Sequence, residues 1–314
     1  MPSAFGVRSF ALCASVVALA LSACSTQSST EHASQPLRKN PEFSYDGSGV
    51  THATLTAAEQ QVNVGNERYV SLVFNGDYDS PLIRTRPGGT MAIRLDNRMD
   101  EITNLHFHGM QVSPLDEGDN IFRVTQPHQV GMYNVKLPLA HSPGAYWYHS
   151  HFHGGSQRQV SAGIAGPILV DGMLDPFPEL IKEQVLVLRN FQKTLTGKVA
   201  SEIITSAPSI RTINGQEVPI IDIKPGETQL WHFINIAANQ YFRIRINGQS
   251  MQVLSRDGNT VTRKVDTDQV LIGPSARFSV LVVGPPAGSY EVENGSGNTG
   301  PAGVIESFQT MGPF

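Results

Sequence analysis

The amino-acid sequence predicts an all-β chain folded as two β-sandwiches in tandem, and three observations carry that prediction. Short apolar runs with strand-type alternation recur along the chain, as in TMAIRLDN, YNVKLP, GPILV, QVLVL, FRIRING and FSVLVV. Period-two alternation marks a strand with one buried face. Between these runs stand Pro, Gly, Asn and Asp. With 29 Gly and 20 Pro among 314 residues, turns interrupt the chain too often for helices of any length. The third observation is an internal repeat. Pro87-Gly88-Gly89-Thr90 opens a segment that reaches HFHGMQV at His106, and Pro225-Gly226-Glu227-Thr228 opens one that reaches RINGQSMQV at Arg245. Gly144-Ala145-Tyr146 leads to His149 as Gly288-Ser289-Tyr290 leads to Glu293. Two related sandwiches are expected, residues 43–175 and 180–314, joined around DGMLDPFPEL.

Taken in chain order, the first element is an export signal. In MPSAFGVRSFALCASVVALALSAC, Arg8 supplies a positive start, and an apolar run extends from Phe10 to Leu21. Small residues precede a cysteine, as in secretory signals. The run falls short of the roughly 20 residues of a membrane-spanning helix. Leu21-Ser22-Ala23-Cys24 resembles the bacterial lipoprotein cleavage box, which implies lipidation at Cys24, a lipoprotein-type signal peptide over 1–24, and export to the bacterial cell envelope on the periplasm-facing side. The anchor is then the only link to a membrane. Residues 25–42 are polar, rich in Ser and Gln, and read as a flexible tether. Folding is expected to begin at Phe43.

Both cysteines, Cys13 and Cys24, lie in the export segment. The sandwiches therefore hold no disulfide and no thiolate nucleophile or metal ligand. A formal net charge of -4 with no long basic run gives no electrostatic footprint for nucleic acid.

The informative residues are histidines. Of ten in the chain, five fall in NLHFHG and YWYHSHFHGGS: His106, His108, His149, His151 and His153. On a strand, side chains at i and i+2 share a face about 6.5–7 Å apart. Two such pairs on neighbouring strands would present four imidazoles to one spot. Imidazole suits copper, zinc, iron or nickel, and a dense cluster without interleaved carboxylates leans towards copper. The repeat sharpens this, because its second copy has Arg245 and Asn247 where the first has His106 and His108, and Glu293 where the first has His149. Packing alone needs no imidazole at these points. His32, His52, His128, His141 and His232 read as surface or core residues, and Trp147 and Tyr148 as core and pocket wall.

NLHFHG followed by YWYHSHFHGGSQRQVSAGIAGPILV resembles the first cupredoxin domain of the multicopper oxidases, the laccase-like enzymes. PGETQLWHFINIAANQYFRIRINGQSMQVLSRDG is similar to their second. The resemblance implies two tandem cupredoxin-like Greek-key β-sandwiches. It also implies copper as cofactor, with dioxygen and a small reducing substrate, a phenol or a metal ion, as partners. Carried over by position, His106 would bind the type 2 copper, and His108, His149 and His151 the type 3 pair. His153 lies one step beyond the usual ligands and would orient one of them by a hydrogen bond. Within LDEGDNIFRVTQP, Asp119 matches best the acid that supplies protons to reduced oxygen, with Asp116 as the other choice.

One part of the family pattern is missing: no His-Cys-His segment occurs in these residues. The resemblance therefore implies that the type 1 copper site and the remaining cluster ligands lie on a third cupredoxin domain or a second chain. The other reading is a non-catalytic copper-binding lipoprotein of the cell envelope.

Overall fold

The computed structural model describes residues 35–64, 67–176, 178–200, 202, 209–246, 248–294 and 305–309. The expected signal peptide with Cys24, His32, Asn247 and most of the tether lie outside the described residues. Strands from residues 42–170 form two sheets. One has five strands in the order Glu42–Phe43, Leu82–Thr85, Ala165–Val170, Gly144–His149 and His106–His108; the other has four, Glu67–Phe74, Val50–Val64, Thr90–Asn97 and Val130–Lys136. Two further sheets of six strands each are built from residues 182–309, together with Gln35–Pro36. Residues 32–314 cluster into one compact unit.

Alternation builds the outer sheets as the sequence suggests. In Thr90–Asn97, Met91, Ile93, Leu95 and Asn97 are buried while their neighbours are partly exposed; Gly131, Tyr133 and Val135 do the same in Val130–Lys136. The Gly144–His149 strand breaks the pattern, for all six residues are buried. Its two faces serve two cores. Tyr146 and Tyr148 join the first sandwich's interior with Leu55, Ile93 and Phe107, whereas Ala145 and Trp147 pack against Val187, Ile234 and Ile236 of the second sandwich. A strand covered on both sides cannot alternate in hydrophobicity.

The repeat is visible in backbone detail. Thr90–Asn97 pairs parallel with Val50–Val64 and antiparallel with Val130–Lys136, and Thr228–Asn235 pairs parallel with Lys182–Phe191 and antiparallel with Arg277–Val283. Each of these strands follows a Pro-Gly turn whose glycine needs the left-handed conformation, Gly88 at φ 75° and Gly226 at φ 76°. Each ends on a buried asparagine that closes a corner. Asn97 Nδ2 donates to the carbonyls of Glu101, Thr125 and Gln126, and Asn235 Nδ2 to those of Gln240, Ile272 and Gly273. His106 faces His149 across the ladder, and Arg245 faces Glu293.

One expectation is corrected. The tether was predicted to run to residue 42, but Gln35–Pro36 adds a short parallel strand beside Pro219–Asp222. The link continues through side chains. Asn214 Nδ2 donates to Arg38 O at 2.8 Å, Arg38 N donates to Gln216 Oε1 at 2.6 Å, and Asn40 Nδ2 donates to Asp79 Oδ1 at 2.8 Å. A polar segment can join a sheet edge in this way because the bonds come from backbone and amides rather than from apolar burial. The sequence also shows no sign of a short α-helix, Ser156–Ala162, which follows the second histidine cluster.

Candidate metal centre

The histidines meet at a sheet rim. His106–His108 is the edge strand of the five-stranded sheet. Phe107 points into the core with no exposure, which turns His106 and His108 to the opposite face. In the register His106 lies across from His149, and His108 from Trp147, so the two histidines share a face with Ala145, Trp147 and His149. Ring centroids are 5.6 Å apart for His106 and His108, 5.2 Å for His106 and His149, and 4.9 Å for His106 and His151. His151 arrives by a different route. The strand ends at His149, and the irregular segment after it delivers His151, whose N–H donates to Asn104 Oδ1 at 2.7 Å.

Hydrogen bonds select which ring nitrogen is free. His149 Nδ1–H donates to the Ser150 carbonyl at 2.8 Å, and His106 Nδ1–H to Asp119 Oδ1 at 2.9 Å. Each Nε2 keeps a bare lone pair. His149 Nε2 lies 3.4 Å from His108 Nδ1. Two nitrogens bound to one tetrahedral ion at 2.0–2.1 Å stand about 3.4 Å apart, so this pair fits a shared metal. His106, His108 and His149 offer ligand atoms that all lie within 4.8 Å of one another. His151 Nδ1 is buried without a hydrogen-bond partner among the described residues, as a nitrogen awaiting a ligand would be. The donor set therefore fits copper.

The His108 and His149 rings are also shielded and neutral. Trp147 stacks at 4.1 Å on His149 and at 4.7 Å on His108. Burial, followed by the nearby Arg277 cation, pushes the His108 imidazole down to about 3, and burial holds His149 well below the usual histidine range. A base that stays neutral keeps its lone pair for metal at any ordinary pH.

Asp119 stands at the site: Oδ1 accepts from both His106 Nδ1–H and the Phe107 amide, each at 2.9 Å. Asp116 is exposed in a turn at φ 52°. His153 departs from its expected role. It is exposed, and among the described residues it makes ring contacts with His151 and Phe122 but no hydrogen bond to the other four histidines. Asp119 does the orienting instead, because the rim turn carries His153 outward. The remaining histidines among the described residues are accounted for. His141 bonds to Gln111 N and Ser142 O, His232 lies between Ser279 and Glu183, His128 pairs with Asp100, and His52 is exposed near Asp46.

Two positioning groups escaped the sequence reading. Asn104 is fully buried; its Oδ1 holds the His151 amide, and its Nδ2 donates to Ile121 O at 2.7 Å in the loop that carries Asp119. It sits inside the quoted motif, two residues before His106, and that was its only signal. Arg277 comes from the second sandwich, and nothing in its sequence surroundings marks it.

Comparison with known proteins identifies the family. Two multicopper oxidase family models match residues 56–174 and 185–309. Copper resistance protein A of Pseudomonas syringae pv. tomato is 28% identical over 82% of this chain and 50% of its own length. A multicopper oxidase from Campylobacter jejuni, described as a metallo-oxidase, superposes with a TM-score of 0.76 at 21% identity, over 90% of this chain and 62% of its own. A laccase-like multicopper oxidase from Ochrobactrum sp., described with oxidase activity towards lignin model compounds, gives 0.75 at 25% identity over 88% and 64%. The sandwiches are cupredoxin-like, and the chain belongs to the multicopper oxidase family, a family of copper-binding oxidoreductases. It spans about half the length of the curated relatives it matches. Among the described residues no helix is long and apolar enough to cross a membrane.

Proposed function

We propose that this chain is the N-terminal portion of a laccase-like oxidase. Residues 43–175 would carry one wall of a trinuclear copper cluster, and residues 180–314 a ligand-free sandwich that braces it. The observation that carries the reading is the convergence of buried and partly buried imidazoles, with His108 Nδ1 and His149 Nε2 3.4 Å apart. His106 would hold the type 2 copper, and His108, His149 and His151 the type 3 pair. Bound copper would couple one-electron oxidation of a donor to four-electron reduction of dioxygen to water. The protein's own part is positional. Asp119 Oδ1 holds the His106 Nδ1–H, and its second oxygen, without a partner among the described residues, would pass a proton. Trp147 keeps water from two of the rings. The remaining ligands and the type 1 cysteine would come from a third cupredoxin domain or a second chain; the absence of cysteine after Cys24 supports this. The donor would be a phenol or a metal ion, in keeping with the descriptions of the two structural relatives. Lipidation at Cys24 would anchor the protein at the cell envelope facing the periplasm.

The test is copper content and oxygen uptake, measured for the copper-loaded chain alone and for the same residues joined by a segment that carries His-Cys-His. The account expects copper in both and oxygen consumption only in the second. A chain that binds no copper overturns it. Copper without turnover in either arm would point to the non-catalytic copper-binding lipoprotein.

A further inference from the structure

The histidine wall is electrically uneven. At the His106 end stands the Asp119 carboxylate. At the His108 end stands Arg277, which belongs to the second sandwich and is 4% exposed. Its guanidinium lies against Gly109, the residue after His108. A Cβ on Gly109 would overlap Arg277 Nη2 and sit 2.9 Å from Cζ, and Gly109 has φ 81°, so both space and backbone require glycine there. Arg277 Nε donates to Ala145 O at 3.2 Å, the planar group lies over the Tyr146 ring at 5.5 Å, and Nη1 donates to Ser275 O at 3.1 Å and to Asp257 Oδ1 at 3.3 Å. Nη2 has no hydrogen-bond partner among the described residues. The only carboxylate that Arg277 bonds among them, Asp257, has a side chain 37% exposed, so solvent weakens its hold on the Arg277 charge. The Trp147 indole, stacked on His108 and His149, keeps the medium between cation and site poor in water.

We propose that Arg277 makes the His108–His149 end of the wall favour Cu(I), while Asp119 makes the His106 end favour Cu(II), so that the ligand-free sandwich sets the oxidation state of metal held by the other. The inference rests on the reading that the wall binds copper. Its physical basis is simple. A fixed positive charge near a metal penalises the doubly charged ion more than the singly charged one, and the penalty grows where water is excluded.

The experiment uses the full chain and copper alone. Cu(I) is titrated anaerobically against bicinchoninate, and Cu(II) in air against a competing chelator, for the wild type, Arg277→Gln, Arg277→Lys and Asp257→Asn. Removing the charge should lower the ratio of Cu(I) to Cu(II) affinity by on the order of tenfold. Arg277→Lys should keep most of the ratio. Asp257→Asn should raise it, and asparagine tolerates the φ of 53° at that position while still accepting the Arg277 amide. A purely structural role would lower both affinities together and leave the ratio alone. Ratios for Arg277→Gln and Asp257→Asn within about twofold of wild type would overturn the proposal. If Arg277→Gln loses its far-UV circular dichroism, Asp257→Asn decides alone by the same criterion. A wild type that binds neither ion fails the copper reading itself; one that binds copper with an insensitive ratio fails only this inference.

Discussion

The two halves of the molecule repeat one framework and differ at a few facing positions. Tyr146 OH donates to the carbonyl four residues back, Ser142, at 2.9 Å, and Tyr290 OH does the same to Pro286 at 2.9 Å. Asn97 and Asn235 close equivalent corners, each with three carbonyls. Where the first half sets His106 against His149, the second sets Arg245 against Glu293. The shared residues satisfy backbone groups that any such sandwich must satisfy. The histidines answer no such framework need, and this sets them apart as the proposed site.

Exchange of the differing residues should produce the largest effect. His106→Arg with His149→Glu gives the first half the second half's pair, and copper binding, followed by equilibrium dialysis, should drop to background while the β-sheet circular dichroism persists. Retained binding would place the site elsewhere. Asp119→Asn comes next. It leaves every ligand in place but weakens the hold on the His106 ring, and Cu(II) affinity should fall about 10–100-fold. An unchanged affinity would remove Asp119 from the site. The framework itself is probed by Asn97→Ala and Asn235→Ala. Each strands carbonyls in a buried corner, so each should cost about 1–3 kcal/mol in urea denaturation; a large cost in one half and none in the other would break the repeat.

The last effect concerns pH, at a point where the halves meet away from the histidines. Asp79 is 1% exposed, and burial pushes its carboxyl up to about 7, against the opposing pull of Arg189 and Arg38. Folded protein keeps this proton to about pH 7, while the unfolded chain releases it near pH 4. Stability from Asp79 is therefore present below pH 4 and is lost as pH rises through 7, by at most about 1.4 kcal/mol per pH unit. Asp79→Asn should flatten that slope between about pH 4 and 7. Identical slopes in both proteins would discount the group.

Much of this was legible in the sequence, and the limits have physical causes. Alternation reveals a strand only when one face is wet, so it marked Thr90–Asn97 and could not resolve Gly144–His149, which is buried on both faces. His106, His108, His149 and His151, the proposed ligands, stand out because imidazoles at that density have few structural uses. His153 followed the same spacing, yet it lies past the strand end, where the period of two no longer governs direction. Arg277 was invisible because its effect depends on where the second sandwich docks, and no local pattern encodes that.

The central claim is that the first half's histidine wall holds copper and that its framework twin does not. Crystals of the full chain grown with one equivalent of copper, measured at the copper absorption edge, test it most directly. The account predicts an anomalous peak bounded by His108 Nδ1 and His149 Nε2. A peak at the Arg245–Glu293 position instead, or no ordered copper at the histidines, would contradict it.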